Sequence, residues 1–120
     1  MRLVKRDMNL VRHILLHIES PAEVTFDAMG HDQRSILDHM ELLAKAGYIE
    51  ADFLTGEDGK VSGLINETLT WEGHNFIDDA RNESTWKTAM TKVGTTVGSA
   101  SLEVIKATIA EVAKAGLGLK

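Results

Sequence analysis

Residues 33–49, QRSILDHMELLAKAGYI, constrain the fold more than any other stretch of the chain. Ile36, Leu37, Met40, Leu43 and Ala44 recur at helical spacing and make one apolar stripe. Gly47 falls just after the last of them, where a left-handed residue closes a helix. The period then changes from helical to alternating. Ile49, Ala51 and Phe53 interleave with Glu50 and Asp52, as in a half-buried strand. Glu57, Asp58 and Gly59 predict a turn, and residues 61–69 return as a second strand loosened by Gly63. A helix stopped by glycine and fed straight into a hairpin predicts an α+β fold with a small antiparallel sheet. In a winged-helix fold the third helix enters the wing in this order.

The flanks fill in the rest. Residues 3–18 predict a first helix that buries Val4, Met8, Val11, Ile14, Leu15 and Ile18, ending before Pro21. Arg2, Lys5, Arg6 and Arg12 make this the most basic part of the chain and form a candidate patch for phosphate or an acidic partner. Between residues 22 and 32 there is little room for another helix. Val24, Thr25 and Phe26 predict a short edge strand there, punctuated by Gly30, with Asp32 the N-cap of the central helix. Thr70 caps a further helix, WEGHNFIDDAR, in which Trp71, Phe76 and Ile77 are expected to bury and Gly73 to allow a close approach. Trp86, Ala89, Met90 and Val93 share one face of residues 82–93. The small-residue run TVGSAS precedes a last helix, capped by Ser99 or Ser101, whose seam is Leu102, Ile105, Ile109 and Val112. That seam either closes on the core or makes a homodimer with a second copy. The expected organisation is a single domain: a winged-helix-like core over 1–82 with a C-terminal helical extension over 83–120.

Composition narrows the chemistry. The 120 residues contain no cysteine, which removes disulfides and thiolate metal sites. The N-terminus is unlike a signal peptide and no long apolar run occurs, so a soluble cytoplasmic protein without a membrane segment is expected. His13 and His17 have a metal-compatible spacing, but no third ligand accompanies them in the sequence, and no metal or cofactor is expected. His39 and His74 read as polar tips on packed rings. No serine, carboxylate pair or lysine stands in a catalytic motif, and GEDGKVSG lacks the spacing of a phosphate loop. A non-enzymatic chain is the expectation, with a small hydrolase or metal enzyme using His39 or His74 as the remote alternative.

Two binding readings remain. If the central helix entered a DNA groove, Gln33, Arg34, Asp38, Glu41 and Lys45 would form its reading surface, with Gln33 and Arg34 supplying donors for base edges. Asp32, Asp38 and Glu41 would meet phosphates with the wrong sign, and the net charge of −5 offers no bulk attraction for nucleic acid. A protein partner, not identified by the sequence, is therefore the first expectation, and a DNA-binding transcriptional regulator the alternative.

Three stretches, KRDMNLVRHILLHIE, HMELLAKAGYIEA and LTWEGHNFIDDARNESTW, resemble the bacterial and prophage family catalogued as domain of unknown function 2513, and GSASLEVIKATIAEVAKAGLGL is similar to its closing helix. The resemblance implies a small winged-helix-like protein, often encoded in prophages or mobile elements. It implies no activity, cofactor or site residue.

Overall fold

The computed structural model describes the backbone of residues 7–96 and 102–118 and, within these, the side chains of residues 7–93 and 103–115. Five helices and one two-stranded antiparallel hairpin follow in the order α1 (Met8–Glu19), α2 (Gln33–Lys45), β1 (Ile49–Thr55), β2 (Val61–Leu69), α3 (Trp71–Ala80), α4 (Glu83–Thr96) and α5 (Leu102–Gly118). The α+β class expected from the hairpin signal is the one observed. The chain divides into two compact units, Met1–His74 and Asn75–Lys120, and α3 runs from the first into the second.

In the first unit α1 buries Leu10, Val11, Ile14 and Leu15, and α2 buries Leu37, His39 and Leu43. The base of the hairpin adds Tyr48, Ile49 and Leu69. Helix α1 begins at Met8, not at residue 3. Asp7 is its N-cap, with extended backbone and a carboxylate Oδ1 that accepts from the N–H groups of Asn9 (3.0 Å) and Leu10 (3.3 Å). A residue in that conformation cannot continue a helix from its N-terminal side. Of the expected buried face, Val4 lies outside the described residues.

Helix α2 starts and stops as its sequence dictates. The Asp32 carboxylate accepts from Ser35 N–H at 2.7 Å. At the other end Gly47 sits at φ +86, its N–H bonded to Ala44 C=O, and Tyr48 N–H reaches Leu43 C=O at 2.9 Å. These are the paired bonds of a Schellman cap. They aim the chain into β1, whose register runs from Ile49 opposite Leu69 to Thr55 opposite Val61. An extra residue on β2 between the Glu50–Thr68 and Asp52–Ile65 pairs is absorbed with Asn66 at φ +58. At the tip Gly59 adopts φ +79, Gly56 N–H bonds Lys60 C=O, and the Asp58 carboxylate accepts from Lys60 N–H.

The expected edge strand at residues 24–26 does not form. Those residues carry no regular secondary structure. The N–H groups of Glu23 and Val24 both bond the Ser20 carbonyl, and histidine rings take up Val24 C=O and Asp27 N–H, so no ladder is available. β-propensity reports a side chain suited to a pleated surface, not the presence of a neighbour to pair with.

Thr70 is the N-cap of α3. Its Oγ1 accepts from Gly73 N–H at 3.1 Å and donates to Gly47 C=O, while its own N–H bonds Tyr48 C=O. Gly73 is where α3 presses on the Tyr48 carbonyl: a Cβ there would fall inside the van der Waals envelope of that oxygen. Trp71, expected to bury, is 79% exposed. Gly73, Phe76, Ile77 and Ala80 form the buried stripe, and Trp71 lies about 200° around the helix from Gly73.

In the second unit Asn82 caps α4 through its side-chain oxygen on Thr85 N–H. Trp86 and Ala89 are buried, with Met90 and Val93 half-buried beside them. The Trp86 ring meets Phe76 edge-on at 6.5 Å between centroids. Helix α5 packs against α4 within the chain, burying Ile105 and Ile109. Lys92 and Glu111 pair across the two helices at 3.3 Å. Leu102 of the seam, and the candidate caps Ser99 and Ser101, lie outside the residues whose side chains are described.

Candidate interaction surface

The candidate reading residues occupy the outward flank of α2 beside the hairpin. Gln33 and Lys45 are exposed; Arg34, Asp38 and Glu41 are half-buried. Arg34 is not extended toward solvent. Its Nε donates to Asp38 Oδ1 at 3.3 Å and its Nη1 to Val61 C=O at 2.7 Å, so the guanidinium ties α2 to the start of β2. Lys45 and Glu41 face each other one turn apart at 3.7 Å. Between the first turn of α2 and the hairpin tip runs a groove of about 250 Å3, with Gln33, Arg34 and Leu37 on one wall and Asp58, Lys60 and Val61 on the other. Of the candidate basic patch only Arg12 is among the described residues, half-buried on α1; Arg2, Lys5 and Arg6 lie outside them.

The outer face of the hairpin carries a second set of groups. Direct pairing sets Glu50 beside Thr68, Asp52 beside Ile65 and Leu54 beside Gly63. Leu54 and Ile65 are each about half exposed, at 48% and 49%, in front of the Glu50 and Asp52 carboxylates. Asn66 steadies Asp52 with a 2.9 Å bond. Charge is divided unevenly along the chain: residues 1–74 hold thirteen Asp and Glu against seven Lys and Arg, and residues 75–120 hold five against six. The whole acidic excess thus belongs to the first unit.

Four histidines of the first unit, His13, His17, His31 and His39, hold specific hydrogen bonds. His39 is 1% exposed, and both of its ring nitrogens are used: Nδ1 donates to Ser35 C=O at 2.8 Å and Nε2 accepts from Asp7 N–H at 3.0 Å. His31 bridges Ser35 Oγ (2.8 Å, from Nδ1) and Asp7 Oδ2 (2.9 Å, from Nε2), with its ring 5.4 Å from that of His39. The order serine–histidine–aspartate is that of an activated nucleophile. Here Asp7 is also the cap of α1, so the chain of bonds joins the start of α1 to the first turn of α2. Partial burial alone would raise the Asp7 carboxyl; the His31 bond, the two backbone N–H groups and the His31 charge outweigh it and hold the carboxyl below its usual range.

His13 and His17 clasp Phe26 from two sides, at 5.6 and 5.5 Å between ring centroids. His13 Nε2 accepts from Asp27 N–H at 2.8 Å and His17 Nδ1 donates to Val24 C=O at 2.6 Å. Their one-turn spacing serves the loop that follows α1, and among the described residues no group of three or more His, Cys, Asp or Glu is disposed to hold a metal ion. His74 is exposed on α3. Sequence reasoning missed Asp7, His31 and Ser35 as a connected set. Asp7 directly before an amphipathic run is the one legible signal, as an N-cap.

Among the described residues no helix is long and apolar enough to cross a membrane. No solved structure matches the chain. A protein of Haemophilus influenzae that bears only the name "Uncharacterized protein" is 34% identical over 109 residues, spanning 86% of this chain and 90% of that protein. The family model described as "Hypothetical protein (DUF2513)" matches residues 5–100. The resemblance carried by the N-terminal, central and LTWEGHNFID stretches is therefore one of descent, and the chain belongs to the DUF2513 family.

Proposed function

We propose that the chain is a non-enzymatic, winged-helix-like binding module of phage or mobile-element origin whose acidic first unit docks a basic protein partner. The observation that carries this reading is the engagement of Arg34. The one arginine on the flank that would read base edges is bound to Asp38 and to the Val61 carbonyl. The hairpin beside it presents Glu50, Asp52, Glu57, Asp58 and Glu67 against Lys60 alone. A phosphate backbone is repelled by such a surface, whereas a partner rich in Lys and Arg is steered toward it. Leu54 and Ile65 supply an apolar centre within the charged rim, the composition of a protein-binding patch.

The test places a photo-crosslinking amino acid at Ile65 in a bacterial host, with Lys114 on α5 as the control position. A discrete protein adduct at residue 65, absent at 114 and lost when Glu50 and Asp52 are both changed to Lys, is the expected outcome. DNA binding is the second reading, favoured by the exposure of Gln33 on the first turn of α2. Fluorescence anisotropy with a mixed-sequence duplex tests it: steeply salt-dependent binding that weakens in Arg34→Ala and Gln33→Ala would replace the protein partner with DNA.

A further inference from the structure

The segment between α1 and α2 has a burden no neighbouring strand relieves. Residues 20–32 run as turns and irregular backbone, with Met29 at φ +53 and Gly30 at φ +82. What fastens this segment to the helices is imidazole. His13 does so as an acceptor, presenting an unprotonated Nε2 to Asp27 N–H, and His39 presents its own unprotonated Nε2 to Asp7 N–H at the start of α1. For His39 the tautomer follows from the structure, because its Nδ1 must carry the proton that Ser35 C=O accepts.

We infer that His13 and His39 form a proton-operated latch: neutral, they hold the loop and the start of α1 in place, and protonated at Nε2 they release both. A protonated Nε2 faces a backbone N–H with a second N–H, so the bond is lost and two donors are set against each other. The release is selective. His31, between the Asp7 carboxylate and the Ser35 hydroxyl, accepts a proton without losing either partner, since a hydroxyl both donates and accepts. His17 already donates to Val24 C=O and keeps that bond when charged.

The charged and titratable groups around the latch are few. His39 is faced by His31 from the loop and by Asp7 from α1, whose carboxylate is turned to His31; on its own helix Asp38 and Ser35 flank it. His13 is faced by Asp27 from the loop, whose Oδ1 holds Met29 N–H, and by His17 and Arg12 on α1. A proton placed on either Nε2 removes the acceptor that the Asp27 or Asp7 N–H requires, so proton uptake there favours the released state over the latched one.

Amide hydrogen exchange and side-chain nitrogen shifts of the intact chain, recorded by NMR at pH 7.5 and pH 5.5, test the latch. The expected result has unprotonated Nε2 on His13 and His39 at pH 7.5. The Asp7 and Asp27 amides then lose protection by about fivefold to tenfold at pH 5.5 after correction for intrinsic exchange, the scale of one hydrogen bond. In His13→Gln, whose amide oxygen offers an acceptor that does not titrate, the Asp27 amide becomes insensitive to pH while Asp7 keeps its response. His39→Gln gives the converse; should its buried site not tolerate the amide, the half-exposed His13 position decides alone. Protection that is equal at the two pH values, a protonated Nε2 on His39 at pH 7.5, or an unchanged Asp27 response in His13→Gln would each overturn the inference.

Discussion

Adding one methyl group at Gly73 separates two physical effects of opposite sign. Gly73 lies in the first turn of α3, where replacing glycine by alanine ordinarily stabilises a helix by about 1 kcal/mol. Here the new Cβ would overlap the Tyr48 carbonyl oxygen and crowd its carbon, with the Leu69 Cβ at 3.5 Å behind. None of these is the free end of a flexible side chain. Tyr48 is 4% exposed and its carbonyl accepts from Thr70 N–H at 3.1 Å, so moving it breaks the contact that fixes the strand-to-helix corner. Overpacking of this kind costs about 1–3 kcal/mol, and disrupting a buried backbone bond adds about 1–3 kcal/mol. Against a helix-propensity gain of about 1 kcal/mol, Gly73→Ala is expected to be less stable by about 1–5 kcal/mol. Urea unfolding followed by circular dichroism measures this, with Gly63→Ala as control because its Cβ would meet only Leu54 Cδ1 at an ordinary 3.8 Å. A Gly73→Ala protein as stable as the parent, or more stable, would refute the close approach and leave propensity as the governing effect.

Other perturbations report on separate features. Asp7→Ala removes both the α1 cap and the carboxylate under His31 and is expected to cost about 1 kcal/mol at pH 7, read from denaturant midpoints. Because the folded-state carboxyl is lowered, Asp7 contributes fully above the unfolded carboxylate range and loses its contribution as pH falls through its folded value. The gap between the parent and Asp7→Asn, which keeps a capping oxygen, should therefore close below about pH 3.8. Asp79 is shifted the other way, raised by burial and by the neighbouring Asp78 charge, so its ionised form is disfavoured in the fold. Stability attributable to it falls as pH rises from the unfolded carboxylate range through the raised value, and Asp79→Asn should be the more stable protein at pH 7 with no advantage at pH 3. Trp71→Gln should change stability by less than about 0.5 kcal/mol, since the ring is 79% exposed; a loss above about 2 kcal/mol would mean that the indole is packed.

What the sequence disclosed and what it hid divide along contact range. Asp32, Gly47 and Thr70 act on backbone groups within a few residues, and capping chemistry of that reach is written in residue order. The exposure of Trp71 was also legible in principle: Gly73, Phe76, Ile77 and Ala80 stand at i, i+3, i+4 and i+7, and Trp71 belongs to none of those positions. The Asp7–His39 bond spans 32 residues and His13–Asp27 spans 14, with no periodicity to announce either. The absent strand at 24–26 has the same origin. Val24, Thr25 and Phe26 suit a strand, but at the two ends of the stretch Val24 C=O and Asp27 N–H are taken by imidazoles on a helix.

The same distinction governs the candidate surface. The order of helix, glycine cap and hairpin is fixed by local signals, and an architecture so determined is shared by folds that bind very different partners. Partner chemistry is set instead by which charges stay available once the chain has folded. Arg34 looks like a reading residue when counted along α2, yet its guanidinium donates to Asp38 on its own helix and across the gap to the Val61 carbonyl of β2, and its charge is balanced by Asp38 before any ligand arrives. The carboxylates of Glu57 and Glu67 have no comparable cation across the hairpin, where Lys60 is the lone basic residue. Reversing that balance is the direct way to ask what the surface selects. Changing Glu50, Asp52 and Glu67 to Lys leaves the buried pair Ile49–Leu69 and the half-buried pair Phe53–Leu64 untouched, so the hairpin should persist while its field changes sign. Under the proposed function, the triple variant releases a basic protein partner and gains salt-sensitive affinity for duplex DNA that the parent lacks. A variant that kept its protein adduct would assign the docking surface to another face of the chain.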